Sequence, residues 1–159
     1  MSETGEVLIP EKPQANVFNP TLDNWQHVRE RIVQIEQENF GDGAYSEEEL
    51  SEAFANPNNT TVVLYDVYGN VIGYSYAIPI TKYYPKRKKE IRETVFIDST
   101  AIDKKQQGKG NVGILIDKLE DELKAKGFRY IERTAAVPNG YADALKDITE
   151  IGYLKNIIK

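Results

Sequence analysis

An α+β fold (α/β in looser usage), with a mixed, mostly antiparallel central sheet flanked by helices, is what this sequence predicts. Three observations carry that expectation. Two segments rich in β-branched and aromatic residues, TTVVLYDV and VIGYSYAIPI, are joined by the short bend YGN, the pattern of an antiparallel hairpin. A strand, a helix and another strand follow across residues 91–137, and a crossing of that kind requires parallel pairing. Elsewhere apolar residues recur at helical spacing, which gives each helix one apolar face.

Residues 1–14 form a polar, proline-containing tail, and 15–159 read as a single domain, since no Gly/Ser/Pro-rich linker or composition break divides them. ANVFNP is a short strand ended by Pro20. Thr21 is placed to cap the first helix, with Asp23 in its first turn. Leu22, Trp25, Val28, Ile32 and Ile35 form its stripe, which runs to about Phe40. GDGAYS is a loop, and Ser46 followed by Glu49 is a capping-box pattern opening a second helix, SEEELSEAFA, which Pro57 ends. After the hairpin come a basic loop, TKYYPKRKKE, and a third long strand, IRETVFIDSTAI. Val112, Leu115, Ile116, Leu119 and Leu123 share one face of the next helix, and Gly127 stops it. FRYIERTAAV is a fourth strand, NGYADALKDITEI a last helix and GYLKNIIK a final short strand. The predicted order is β-α-α-β-β-β-α-β-α-β.

Bulk properties narrow the function. A net charge of −5 disfavours nucleic acid as a general partner, because such binding is driven by basic side chains that neutralise phosphates. With no cysteine there is no disulfide, thiolate metal site or cysteine nucleophile, and no metal is expected. The first residues lack a basic start followed by an apolar run, and no stretch reaches the ~18 apolar residues of a membrane helix. A cytoplasmic protein without a membrane partner is the expectation.

KKQQGKGNVGILIDKLEDELKAKG, residues 104–127, joins a charged glycine loop to a patterned helix. Such a join can hold a phosphate, because the first amides of a helix lack partners and its dipole favours negative charge there. A Walker-type loop does not fit: Gly108-Lys109-Gly110 has the wrong spacing, and no Ser or Thr follows a Gly-Lys pair. The dinucleotide fingerprint G-x-G-x-x-G fits in letters at Gly108, Gly110 and Gly113, with Glu132 about twenty residues on. Its context argues against it, because that fingerprint opens a longer array and only 46 residues follow Gly113.

From Ile102 to Ile131, IDKKQQGKGNVGILIDKLEDELKAKGFRYI resembles the acetyl-CoA-binding motif of the GNAT superfamily of acyl-CoA-dependent N-acyltransferases. That signature reads Gln/Arg-x-x-Gly-x-Gly/Ala. Gln107 and Gly110 fall on it, while Val112 stands where Gly or Ala is usual. The predicted element order is the family's order, and YDVYGNVIGYSYAI looks like its β2–β3 hairpin. Asn139 and the Gly152-Tyr153 pair resemble features flanking its last helix, although Ile148 occupies the place of a usual Tyr. The likeness covers residues 15–153.

The resemblance implies a GNAT-like domain that transfers an acetyl group from acetyl-CoA (coenzyme A) to a primary amine, with a small-molecule or peptide amine as acceptor. A non-catalytic acyl-CoA or CoA-binding domain of the same fold is the rival. It implies that backbone groups of Thr100 and Ile102 hold the pantetheine arm and polarise the thioester, beside a neighbouring strand splayed around Thr134–Ala136. Gln107, Gly108, Lys109, Gly110, Asn111 and Val112 would surround the pyrophosphate, with Lys104 and Lys105 nearby, and Asn139 would bond the arm. The chain ends soon after Tyr153, so the N-terminal tail or a second copy in a homodimer would complete the sheet.

The chemistry needs a proton acceptor for the amine and a donor for the departing thiolate. With no Cys and a single His, direct attack is favoured over an acyl-enzyme. Asp98, Glu93 and Glu132 are the candidate bases. Asp98 leads, because alternation puts it on one strand face with Phe96 and Thr100. Tyr153, Tyr141 or water would supply the acid. His27 reads as a solvated histidine. Glu47, Glu48, Glu49 and Glu52 read as a solvated helix face, which in this family would line the acceptor site. Lys82, Lys86, Arg87, Lys88 and Lys89 read as a charged hairpin loop.

Overall fold

The computed structural model describes residues 11–84 and 89–133. The predicted last helix and final strand lie outside them, with Asn139, Tyr141, Ile148 and Tyr153. Five strands, β1 (Gln14–Val17), β2 (Thr60–Tyr65), β3 (Val71–Tyr84), β4 (Lys89–Ile102) and β5 (Tyr130–Arg133), form one sheet in that spatial order. The first four are antiparallel neighbours. Thr94–Ile97 of β4 pairs in parallel with Tyr130–Arg133, which the strand–helix–strand pattern required.

Alternation along β2 divides the core in two. Val62 and Leu64 point into a cluster with Val95, Ile97, Ile102 and Ile131, closed by Leu115, Leu119 and Leu123 of α3 (Asn111–Ala125). Val63, between them, points into the opposite cluster with Val28, Ile32 and Ile35 of α1 (Trp25–Phe40) and Leu50 and Phe54 of α2 (Glu47–Ala55). The α3 leucines are fully buried. At roughly 1.5–3 kcal/mol for each such side chain, the three fix that helix against the sheet. Gly73 of β3 lies directly across from Ile102 of β4, and a Cβ built there would lie 2.6 Å from the Ile102 side chain.

Three local expectations are corrected. The first helix is capped by Asn24, whose side chain accepts from the Gln26 amide at 2.9 Å, and not by Thr21. Thr21 and Asp23 are held in the preceding turn, where the Thr21 amide donates to Asn19 and Asp23 accepts from the Asn19 amide. Leu22 therefore leaves the stripe and is 82% exposed. The basic segment is only partly a loop, since the strands pair as far as Tyr84 with Lys89. On α3 the inward position at the helix start belongs to Asn111, 4% exposed, while Val112 is 39% exposed. The Ser46–Glu49 capping box forms as expected, and Gly127 ends α3 at a φ of +90°.

Candidate active site

β4 carries a bulge at its centre. Tyr76 pairs with Ser99 and Ala77 with Ile97, so Asp98 is the extra residue with no partner on β3. Ile97 lies in the α3-side core, whereas the Ser99 hydroxyl donates to Glu36 on α1 at 2.9 Å. Two consecutive side chains, Asp98 and Ser99, thus face the α1–α2 layer. The Asp98 carboxylate accepts from the Tyr76 hydroxyl at 2.7 Å and from the Tyr45 hydroxyl. Thr100 falls on the other side of the sheet, 2.8 Å from the Ser75 hydroxyl, and Ile102 joins the α3-side core. Asp98 therefore does not share a face with Thr100. The extra residue resets the alternation that placed them together.

The backbone past the bulge points outward. Asp103 donates its amide to the Ile72 carbonyl at 2.8 Å, so alternate residues of β4, Ala101 among them, bond across to β3. The amides and carbonyls of Thr100 and Ile102 therefore face away from β3. The pairing of β5 on that side ends, among the described residues, at Arg133 with Ile97.

Below Asp98 lies a polar network inside an apolar layer. Glu36 is 2% exposed. One of its oxygens accepts from Tyr74 and Ser99, and the other accepts from the Tyr45 amide at 2.9 Å. Burial pushes its carboxyl above the ordinary 4.5, with nearby Asp98 and Glu49 adding to the rise against the hydrogen bonds that lower it. Burial, then the bond to Asp98, pushes the Tyr45 hydroxyl up to about 12 and the Tyr76 hydroxyl higher still. Both phenols keep their protons at neutral pH and serve as donors. Tyr74 and Tyr76 are walled by Phe54, whose ring centroid lies 4.7 Å from Trp25 and 5.2 Å from Phe18.

A stability prediction follows from Glu36. A carboxyl whose folded pKa is raised binds its proton more tightly when folded. Its contribution is therefore complete below 4.5 and is lost as pH rises through the folded value. Denaturation midpoints of wild type and Glu36→Gln between about pH 4 and 8 should show the wild type losing ground to the variant as pH rises. A pH-independent difference would show that Glu36 titrates normally.

The loop from β4 to α3 is fastened at each end. Asp103 pairs with Arg31 of α1 at 2.8 Å and caps the turn at Lys104–Gln106 by accepting from the Lys105 amide. The Gln107 side chain donates to Asn39 at 3.1 Å and to the Ile102 carbonyl at 3.0 Å, and Asn39 donates to the same carbonyl at 2.9 Å. Asn111 donates to the Gln106 carbonyl at 2.9 Å. Between these anchors Gly108 and Gly110 sit at φ +75° and +82°, where a side chain is strained, with nothing within 4 Å of a built Cβ. Gly110 is the N-cap of α3 and supplies no side-chain cap. The helix mouth is consequently open, and Lys104, Lys105 and Lys109 are exposed around it.

The structure thus brings together Thr100, Ile102, Gln107, Gly108, Lys109, Gly110, Asn111 and Val112 along one edge, with Asp98 at its upstream end. The Gln107 and Asn111 side chains are committed to holding the loop, and the Gln107 amide donates to the Lys104 carbonyl at 3.4 Å. Val112 points to solvent, so its branched side chain does not close the mouth. Glu93 and Glu132 are partly buried. His27 is exposed. Sequence reasoning missed Glu36, Tyr45, Tyr74, Tyr76 and Ser99. One signal was present: Glu36 follows Ile32 by four residues, a carboxylate on the apolar stripe. Among the described residues no group of three or more His, Cys, Asp or Glu side chains could hold a metal, and no helix is long and apolar enough to cross a membrane.

An open mixed sheet of this order, bulged at β4 and leading through a glycine loop into a helix mouth, has the architecture of an acetyltransferase. The chain belongs to the acetyltransferase (GNAT) family, whose model matches residues 25–146. Solved structures share the fold. An aminoglycoside acetyltransferase, HMB0005, from an uncultured soil metagenomic sample is 16% identical over 88% of this chain and 90% of its own, with a TM-score of 0.64. A second from such a sample, meta-AAC0020, in complex with sisomicin, is 17% identical over 87% of each chain, also with a TM-score of 0.64. A GNAT superfamily phosphinothricin acetyltransferase from Sinorhizobium meliloti, in complex with AcCoA, is 24% identical over 84% of this chain and 72% of its own, with a TM-score of 0.64. No curated protein sequence matches the chain.

Proposed function

We propose that this protein is an acetyl-CoA-dependent N-acetyltransferase that acts on a primary amine by direct attack. The observation that carries the reading is the bulge. It sets Asp98 between the aromatic α1–α2 layer and the strand segment whose outward amides lead to the open mouth of α3. Acetyl-CoA would supply the activated acyl group as a thioester. Amides at the start of α3, with the backbone of Gly108 and Gly110, suit a pyrophosphate, and the outward groups of Thr100 with the Ile102 amide suit the pantetheine arm. Asn139 and Tyr153, as arm contact and proton donor, complete the proposal from outside the described residues.

An amine is a nucleophile only as its free base, so its proton must leave before or during attack. Asp98 takes that proton in this reading. Tyr45 and Tyr76 hold the carboxylate in place and, with their raised pKa values, do not compete as acids. The carboxylates of Glu49 and Asp98 give this corner a negative bias that suits a cationic ammonium arriving from solution.

The test is CoA release from acetyl-CoA across a panel of primary amines: spermidine, kanamycin, phosphinothricin, a free peptide N-terminus and a lysine-containing peptide. Saturable release with at least one of them is expected. Binding of acetyl-CoA without release for any amine would make the chain a non-catalytic acyl-CoA binder, and no binding would remove the reading altogether.

A further inference from the structure

We propose that Glu36 is a positioning residue for Asp98: it clamps the β4 bulge through Ser99 and the α1–α2 connection through Tyr45, and so sets the phenols that hold the Asp98 carboxylate. This rests on Asp98 being the proton acceptor proposed above. Three donors from three different elements converge on the one side chain. They are Ser99 of β4, Tyr74 of β3 and the Tyr45 amide from the segment between α1 and α2. All three meet it inside a layer where Ile32, Ile35, Leu50 and Phe54 are buried.

The geometry explains why this residue is acidic. Two carboxylate oxygens accept all three donors. A glutamine in its place has a single oxygen, and its NH2 would face either the Tyr45 amide or the pair of hydroxyls, donor against donor. An apolar residue would take the acceptor from the Tyr45 amide and leave Ser99 with only the Tyr74 hydroxyl at 3.2 Å. Ser99 follows the extra residue of the bulge directly, so the bond that turns Ser99 inward also fixes where Asp98 emerges. Tyr74 is two residues from Tyr76 on the same face of β3. Fixing Tyr74 and Tyr45 at Glu36 therefore fixes the register of both phenols that reach Asp98. Glu36 makes no contact with the open strand edge, which is why its role runs through another group.

The experiment uses fluorine NMR of the full chain labelled with 3-fluorotyrosine. The Tyr45 and Tyr76 signals are assigned by Tyr45→Phe and Tyr76→Phe, and Asp98→Asn marks the shift that follows loss of the carboxylate. Glu36→Ala is expected to move both signals. Glu36→Gln should move Tyr45 more than Tyr76, because its oxygen can stay with Ser99 and Tyr74. With the fastest amine of the panel, Glu36→Gln should lower kcat tenfold or more and leave KM for acetyl-CoA unchanged. Should Glu36→Ala fail to fold, Glu36→Gln carries the test. Tyr45 and Tyr76 signals that stay in place in a folded Glu36→Gln protein overturn the clamp and leave the base assignment standing. Undiminished turnover in Asp98→Asn removes the base, and the clamp loses its purpose with it.

Discussion

Gly110→Asp is expected to abolish acetyl-CoA binding, lowering affinity at least about 100-fold, or ~2.8 kcal/mol, while the protein stays folded. Two features of the position make the fold tolerant. A Cβ at Gly110 meets nothing within 4 Å, and Asp is among the residues favoured at an N-cap and least averse to a positive φ. The residual strain of that conformation costs about 1–2 kcal/mol, partly offset by the new cap. The ligand gains no such compensation. The aspartate would bond the amides that a pyrophosphate needs and place a negative charge at its site. Gly110→Asn separates the two effects, since it has the same shape without the charge and should retain more affinity. Calorimetry on variants shown to be folded by circular dichroism decides it. Unchanged affinity in folded Gly110→Asp would move the cofactor away from this helix.

How much of this was legible follows from what each feature depends on. The helices, the hairpin and the glycine loop are local. Periodicity wrote the α3 stripe at Leu115, Leu119 and Leu123, the Ser46–Glu49 box fixed the start of α2, and paired β-branched runs gave β2 and β3. The loop residues were singled out because two glycines before a helix have a physical use wherever they occur. The helix starts were less legible. Thr21 and Asn24 are both competent caps, and the choice fell to Asn24 because the Asn19–Asp23 turn had already engaged Thr21 and Asp23.

The bulge was illegible for a deeper reason. Strand alternation is a rule about neighbours, and IRETVFIDSTAI contains no Gly or Pro to signal a break in it. What decides the break lies elsewhere in the chain: Glu36, 63 residues from Ser99, presents an acceptor to the Ser99 hydroxyl on the α1 side. Asp98 is thus not the same-face neighbour of Thr100 that alternation made it. The same separation hid Tyr45 and Tyr76, whose chemistry at the site comes from the partner they meet. The loop is tied into this arrangement too. Asn39, one turn of α1 beyond Glu36, holds the Ile102 carbonyl and the Gln107 amide, and Arg31, on the same helix, holds Asp103. A single helix therefore braces both the bulge and the base of the glycine loop.

That shared brace bears on the second large effect, Asp98→Asn, which should lower kcat by about 10²–10⁴-fold with acetyl-CoA affinity unchanged. The substitution preserves size and lets the amide oxygen still accept from one phenol, so the bulge and the loop anchors on α1 remain. Only proton acceptance is lost. The split between kcat and KM separates this from a packing defect, which would weaken acetyl-CoA binding along with turnover. Tyr76→Phe gives the intermediate case. It removes the 2.7 Å bond but leaves the Tyr45 hydroxyl on the carboxylate, so kcat should fall by about tenfold, the effect of losing roughly 1.4 kcal/mol of orientation. If Tyr76→Phe proves as damaging as Asp98→Asn, the phenol itself takes part in proton transfer, and the division of labour between acceptor and holder must be redrawn.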